Sequence, residues 1–241
     1  MKGIILAGGT GSRLYPLTKI TNKALLPVGK FPMIYHILNV LISSNIKDVM
    51  IITSPEHVDH IVNYLGSGKD FDCEITYKIQ DKPLGIAHAL YMCKDFCGKD
   101  KSVTILGDNI FENLNDVVPE IKKFQNSKEN YHLFIKQTHH PERFGVPEIV
   151  DGVIVDVVEK PKNPPSNYAV TGLYLYDHHV FDIIKNLTPS KRGEYEITDV
   201  VKQYINNFEG NYTIIENGWT DAGTFESYEE ANNMMRTSKE K

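Results

Sequence analysis

The chain opens MKGIILAGGTGSRLYPLTKITNK (Met1–Lys23), and the order of residue types in that stretch decides the fold. Met1–Leu6 is an apolar run containing β-branched residues, which predicts a buried strand. It opens directly into Gly8-Gly9-Thr10-Gly11, where missing side chains let backbone N–H groups approach an anion closely. Two cations, Arg13 and Lys23, follow. A glycine-rich loop leaving a strand predicts an α/β sheet with a ligand at the strand's carboxyl end. Arg and Lys beside that loop suit a polyphosphate, because a guanidinium fork matches phosphate oxygens.

Spacing excludes two better-known phosphate loops. A P-loop needs Lys followed by Ser or Thr after its glycines, and neither dipeptide is there. The dinucleotide fingerprint needs a third glycine, but Leu14 stands in its place. That mismatch also argues against a nicotinamide dehydrogenase.

Outward from the loop, the first half alternates strand and helix. Met33–Ser43 has helical spacing, Asp48–Thr53 reads as a buried strand, and His57–Leu65 as a helix. Glu74–Gln80 reads as a strand, Ile86–Phe96 as a helix, and Ser102–Leu106 as a strand running into Gly107-Asp108-Asn109. Such alternation predicts a Rossmann-like, mostly parallel sheet with helices on both faces. Ligands in such sheets sit outside the carboxyl ends of the strands, so Gly8–Gly11, Gln80 and Asp108 are expected on one rim. The second half is less regular. Tyr131–Gln137, Gly145–Val150, Val153–Glu159, Ala169–Tyr176 and Tyr212–Glu216 read as strands, several of them antiparallel. Val180–Lys185, Thr198–Asn207 and Phe225–Met235 read as helices, with Thr198 and Asp199 as a natural N-terminal cap. The expectation is one domain over residues 1–241: a nucleotide-binding part (about 1–110) and a smaller, partly antiparallel extension (about 111–241). The Lys/Glu-rich end after Thr237 is expected to fray.

Bulk composition narrows the partners. The chain is 41% hydrophobic and 24% charged, with a formal net charge of −5, an ordinary globular balance that argues against nucleic acid. No apolar run approaches the roughly 20 residues of a membrane span, and the N-terminus lacks a signal-peptide profile, so a cytoplasmic protein is expected. Cys73, Cys93 and Cys97 read as reduced thiols. The pairs His139-His140 and His178-His179 read as surface residues, since neighbouring side chains diverge too far to share a metal.

Several remote residues can serve the same chemistry. Asp108 follows an apolar run, and Asp221 lies in a small-residue turn, Trp219–Thr224, after the strand Tyr212–Glu216. Two carboxylates beside a polyphosphate loop suit Mg²⁺, which takes a few carboxylates together with phosphate oxygens and water. Lys160 can clamp a second phosphate, Glu159 can accept sugar hydroxyls, and Arg192, beside Gly193, is a further phosphate contact.

At this point the chain resembles the sugar-1-phosphate nucleotidylyltransferases, and within them the thymidylyl-transferring branch. The matching stretches are Leu6–Leu17, Lys23–Pro27, Pro32–Tyr35, Leu106–Phe111, Pro141–Val146, Glu159-Lys160-Pro161, Asn167–Tyr176, Pro189–Asp199 and Trp219–Thr224. They run in the family's order through nearly the whole chain. The resemblance implies that Leu6, Gly8, Gly9, Thr10, Gly11 and Arg13 hold a nucleoside triphosphate. Lys23 neutralises the reacting phosphate, and Gln80 and Gly85 read a pyrimidine base. Asn109, Gly145, Glu159 and Val170 are implied on the sugar, Lys160 and Arg192 on its phosphate, and Asp108 and Asp221 on Mg²⁺. Arg13, Lys23, Asp108, Lys160 and Asp221 are then the catalytic set. The implied reaction is in-line attack by glucose 1-phosphate on the α-phosphorus of dTTP, releasing pyrophosphate. UTP in place of dTTP, or another hexose phosphate, fits the same residues. Leu84, His88, Phe144 and Pro147 depart from the family's commoner Asp, Gln, Tyr and Val, the first two on the base side. A non-catalytic sensor on this fold would be expected to have lost one of the five charges, and all five are present. Relatives are often homo-oligomers, so one is expected here. Longer members carry further C-terminal helices that help form a regulatory site, so feedback by a product sugar nucleotide is not part of what the resemblance implies here.

Overall fold

The structure is a computed structural model in which residues 1–237 are described. The first half contributes strands β1 (Lys2–Ala7), β2 (Pro27–Val28), β3 (Phe31–Pro32), β4 (Asp48–Thr53), β5 (Glu74–Ile79), β6 (Ser102–Leu106) and β7 (Ile110–Phe111). The second adds β8 (Tyr131–Gln137), β9 (Gly145–Val150), β10 (Val153–Glu159), β11 (Tyr168–Tyr176), β12 (Gly210–Ile214) and β13 (Trp219–Thr220). Helices are α1 (Met33–Ser43), α2 (Val58–Leu65), α3 (Ile86–Tyr91), α4 (Lys94–Cys97), α5 (Val118–Asn126), α6 (His179–Lys185), α7 (Ile197–Asn207) and α8 (Phe225–Thr237).

One sheet runs in the order β12-β8-β11-β6-β1-β4-β5. β6, β1, β4 and β5 are parallel, and Ala7 lies opposite Thr53, which lies opposite Ile79. Their carboxyl ends are therefore level, and the residues that follow (Gly8, Ser54, Gln80, Gly107) form one rim. β11 enters antiparallel between β6 and β8, so the sheet is mixed but mostly parallel. β9 and β10 pair as a separate antiparallel hairpin.

Alternation along β1 explains the layers. Ile5 and Ala7 join a core with Ile37 and Leu41 of α1, Ile61 of α2 and Phe124 of α5. Ile4 and Leu6 face the opposite core, with Leu90 of α3, Phe181 of α6 and Tyr204 of α7. With both faces covered, β1 must be apolar at nearly every position. A third, small core gathers Leu14, Leu26, Val28, Met33, Ile110, Ala222 and Ala231. It ties the far end of the glycine loop to β7 and α8.

Several sequence expectations need correction. The helix read over Ile86–Phe96 breaks at Met92-Cys93 into α3 and α4. No glycine or proline marks that break. Cys93 and Cys97 are buried free thiols. Burial pushes both up, Cys97 to about 12, so neither is a nucleophile. The predicted cap of α7 is absent: Glu196 is its N-cap, no side chain bonds there, and Thr198 lies buried inside the first turn. The strand read over Tyr212–Glu216 is β12, Gly210–Ile214, two residues earlier at both ends. His139, His140 and His178 are exposed, as expected. The rings of His178 and His179 do not diverge, however, and lie 4.2 Å apart at the entry to α6. Asp177 completes a tight cluster with them, but its two oxygens already accept from Asn130, Tyr204 and His179. The expectation for the end after Thr237 lies outside the described residues. Among the described residues no helix is long and apolar enough to cross a membrane.

Candidate active site

Two cavities open along the rim and meet at Asp108. The first, about 240 Å³, is lined by Leu6, Gly8, Gly9, Lys23, Gln80, Gly85 and Asp108. The second, about 250 Å³, is lined by Arg13, Asp108, Asn109, Gly145, Glu159, Lys160, Val170, Arg192 and Asp221, among others. Residues as far apart in the chain as Arg13 and Asp221 are thus brought together. Three of the residues expected on the triphosphate sit differently. Thr10 lines a smaller polar pocket with Gly9, Lys23 and Ser54. Gly11 lines none of these spaces and instead takes a left-handed turn at φ 63°. Arg13 belongs to the second cavity, not to the one containing Gly8 and Gly9.

The convergence of the two aspartates has a structural cause. β7 and β13 pair antiparallel with Ile110 opposite Thr220. Continuing that ladder outward sets Asn109 against Asp221, so Asp108 and Asp221 share one cavity wall. Asn109 locks the junction: its Oδ1 accepts from Trp219 Nε1 at 2.9 Å and from the Gly172 N–H at 2.7 Å. Its amide donates to Asp108 at 2.9 Å. A side chain at Gly172 would fall 2.5 Å from the Asn109 amide, so only glycine lets β11 approach. The small core fixes two neighbours in the same way, since buried Leu14 follows Arg13 and buried Ala222 follows Asp221.

Cations and carboxylates are paired around the cavities. Lys23 bonds Asp108 Oδ2, Arg143 lies 3.6 Å from Asp221, and Lys160 lies 3.2 Å from Glu159. Arg192 bonds Glu196 at 2.8 Å and Glu159 at 3.3 Å, and the Glu196 carboxylate above all holds its guanidinium above the ordinary value. Lys160 carries φ 44° and Ala222 φ 29°. Left-handed backbone at non-glycine residues costs on the order of 1–3 kcal/mol and persists where the surroundings impose it.

The chain matches the family described as Nucleotidyl transferase over residues 2–238. The chain belongs to that family. It is 42% identical to a glucose-1-phosphate thymidylyltransferase of Neisseria meningitidis over 240 residues, 98% of this chain and 83% of the relative. It is 40% identical, with the same coverage, to that of Mycolicibacterium smegmatis. Among solved structures, one described as a candidate glucose-1-phosphate thymidylyltransferase of Bacillus anthracis, holding sucrose, superimposes with a TM-score of 0.94. It shares 51% identity and covers 100% of this chain and 97% of that one.

Three groups around this nucleotidyl transferase's cavities escaped the reading of the sequence. Arg143 lies in a short turn before β9 and reveals itself only through Asp221. Glu194 lines both cavities. Thr198 lines the second cavity, buried, with its hydroxyl unpartnered. The base-side loop is also braced: Tyr195 N–H donates to Leu84 O at 2.8 Å, and Ala87 N–H to Tyr195 O at 3.2 Å. Gly85 between them has φ 101°, and a Cβ there would meet Tyr195 O at 2.5 Å.

Proposed function

We propose that the protein transfers a thymidylyl group from dTTP to glucose 1-phosphate, giving dTDP-glucose and pyrophosphate. The observation that carries this reading is the meeting of the two cavities at Asp108, with Lys23 on one side and Arg13, Lys160 and Arg192 on the other. The first cavity takes the nucleotide, held by the Gly8-Gly9 backbone and by Lys23. The second takes the sugar phosphate: Glu159 and Asn109 face the hexose, and Lys160 and Arg192 face its phosphate.

The nucleophile is already an anion at neutral pH, so no general base or covalent intermediate is needed. The barrier lies in bringing two anions together. Two unit charges 4 Å apart repel by about 4 kcal/mol at an effective dielectric constant of 20, and phosphates carry more than one charge each. Fixed cations oppose that repulsion and need little reorganisation as charge moves to the leaving group. Arg13, Lys23 and Arg143 surround the α-phosphate position in this reading, and Lys160 aims the attacking oxygen.

Asp108 and Asp221 would hold Mg²⁺. Each carries an exchangeable cation partner, with the Asn109 amide also on Asp108, and no third carboxylate, imidazole or thiol among the described residues joins them in a cluster that could cage an ion. That donor set fits an ion that completes its shell with water and phosphate oxygens. When bound, it would add positive charge at those oxygens. A comparison of pyrophosphate release from dTTP and UTP with glucose 1-phosphate tests the reading. The expected result is release dependent on the sugar phosphate and faster with dTTP. Faster release with UTP would reassign the base preference.

A further inference from the structure

The wall of the first cavity holds an arrangement that nothing above has used. Gln80 follows β5 on the rim and is 8% exposed. Its Nε2 lies 2.9 Å from Nδ1 of His88, one turn into α3. An amide nitrogen can only donate, so the imidazole accepts at Nδ1 and carries its proton on Nε2. With the nitrogen held there, the amide oxygen turns to the Gly8 side, 3.3 Å from where a Cβ on Gly8 would stand. Among the described residues no donor reaches that oxygen, and it is not one of the buried unpartnered atoms, so it is open to the cavity that Gln80, Gly8 and Gly85 line.

We propose that His88 is the positioning residue for base selection: by holding the Gln80 nitrogen, it presents the Gln80 oxygen as an acceptor for the N3–H of a pyrimidine-2,4-dione. Gln80 alone is ambiguous, since a rotated amide offers NH₂ in place of oxygen at nearly the same point. The rotated form would suit cytosine, whose N3 accepts, and would oppose thymine or uracil, whose N3 donates. Fixing the amide costs a thymine-type base nothing and leaves cytosine facing an acceptor with an acceptor, a mismatch that a polar site rejects strongly. His88 touches neither base nor phosphate in this scheme and acts through Gln80. The inference rests on the nucleotidyl-transfer reading with a thymine or uracil nucleotide.

The experiment compares wild type, His88→Leu and His88→Gln in pyrophosphate release with dTTP and with dCTP, glucose 1-phosphate being saturating. The glutamine variant retains an acceptor for the Gln80 nitrogen and the leucine variant does not. For His88→Leu the expected result is a KM for dTTP raised about tenfold, the worth of one fixed hydrogen bond, with kcat within about twofold of wild type. The dTTP-to-dCTP preference in kcat/KM should also fall about tenfold, and His88→Gln should restore both. Unchanged KM and preference in His88→Leu, a fall in kcat alone, or no rescue by His88→Gln would each overturn the proposal. Nitrogen NMR of wild-type protein labelled in histidine asks the same question with no variant to fold: the Nε2–H tautomer at His88 is expected, and the Nδ1–H tautomer would overturn it. A wild-type protein inactive with both dTTP and UTP would instead bring down the functional reading.

Discussion

Arg13 and Lys23 leave the same loop yet serve different cavities. Lys23 lies on Asp108 at the first cavity, while the Arg13 guanidinium stands over Gly223 and lines the second. Arg13 is exposed, with no buried partner to lose, so its removal should affect the reaction far more than the fold. Arg13→Ala should lower kcat by on the order of 10²–10³-fold, as loss of a preorganised charge does elsewhere, with the melting temperature nearly unchanged. Steady-state kinetics beside a thermal melt checks this, and near-wild-type turnover would remove Arg13 from the mechanism. Residue chemistry was legible where charge followed a strand or a glycine run, as at Arg13, Asp108 and Lys160. It was not legible at Arg143 or Glu194, whose significance comes only from what they touch. Thr198 misled for a related reason. A threonine opening a helix reads as a cap, yet the chain enters α7 through the bridge from Leu84 to Tyr195, which makes Glu196 the N-cap and turns Thr198 inward.

Among the elements, β1, β4 and β6 and helix α1 matched their sequence patterns because each is apolar enough that period and length agree. α5 was overlooked although Val118, Ile121 and Phe124 recur at helical spacing; its other positions are mostly polar, and the signal is thin. The two-residue ladder of β7 and β13 is invisible locally, since 110 residues separate its ends, yet it is what joins Asn109 to Trp219 and Asp108 to Asp221. The glycine loop likewise depends on a distant anchor, the small core around Leu14. Leu14→Ala should cost roughly 2–5 kcal/mol as a large-to-small change in a packed site. For a chain of this size that is a fall in melting temperature of roughly 5–15 °C. Calorimetry measures it, and a shift below about 2 °C would mean that the loop is not held by that core.

At the scale of the whole molecule, stability should depend on pH through two histidines, His132 buried on β8 and His36 half-buried on α1. Burial, the largest influence, holds His132 below its ordinary value, against an opposing bond to Glu129. Burial does the same to His36, against its bonds to Val28 and Phe31. The unfolded chain therefore takes up these protons before the native one does. Stability is fully present above the unfolded value of about 6.5 and is lost progressively as pH falls below it. The melting temperature should drop between pH 7 and 5, and more shallowly in His132→Gln, whose amide can still bond Thr213. Equal slopes in the two proteins would clear His132 of any part. Asp177 adds a term at lower pH. Burial alone would raise its carboxyl, but bonds from Asn130, His179 and Tyr204 outweigh burial and hold it below the usual range. Its contribution is present above the unfolded carboxylate value and disappears as pH falls through the folded one.

All of these scales meet in one event at Asp108, where a bound sugar phosphate would displace pyrophosphate from a nucleotide. The most direct test supplies the purified protein with Mg²⁺, glucose 1-phosphate and dTTP labelled either at the α- or at the γ-phosphate. The α-label should appear in a sugar nucleotide and the γ-label in pyrophosphate, in equal amounts. Release of orthophosphate, or α-label recovered only as free nucleotide, would contradict the account.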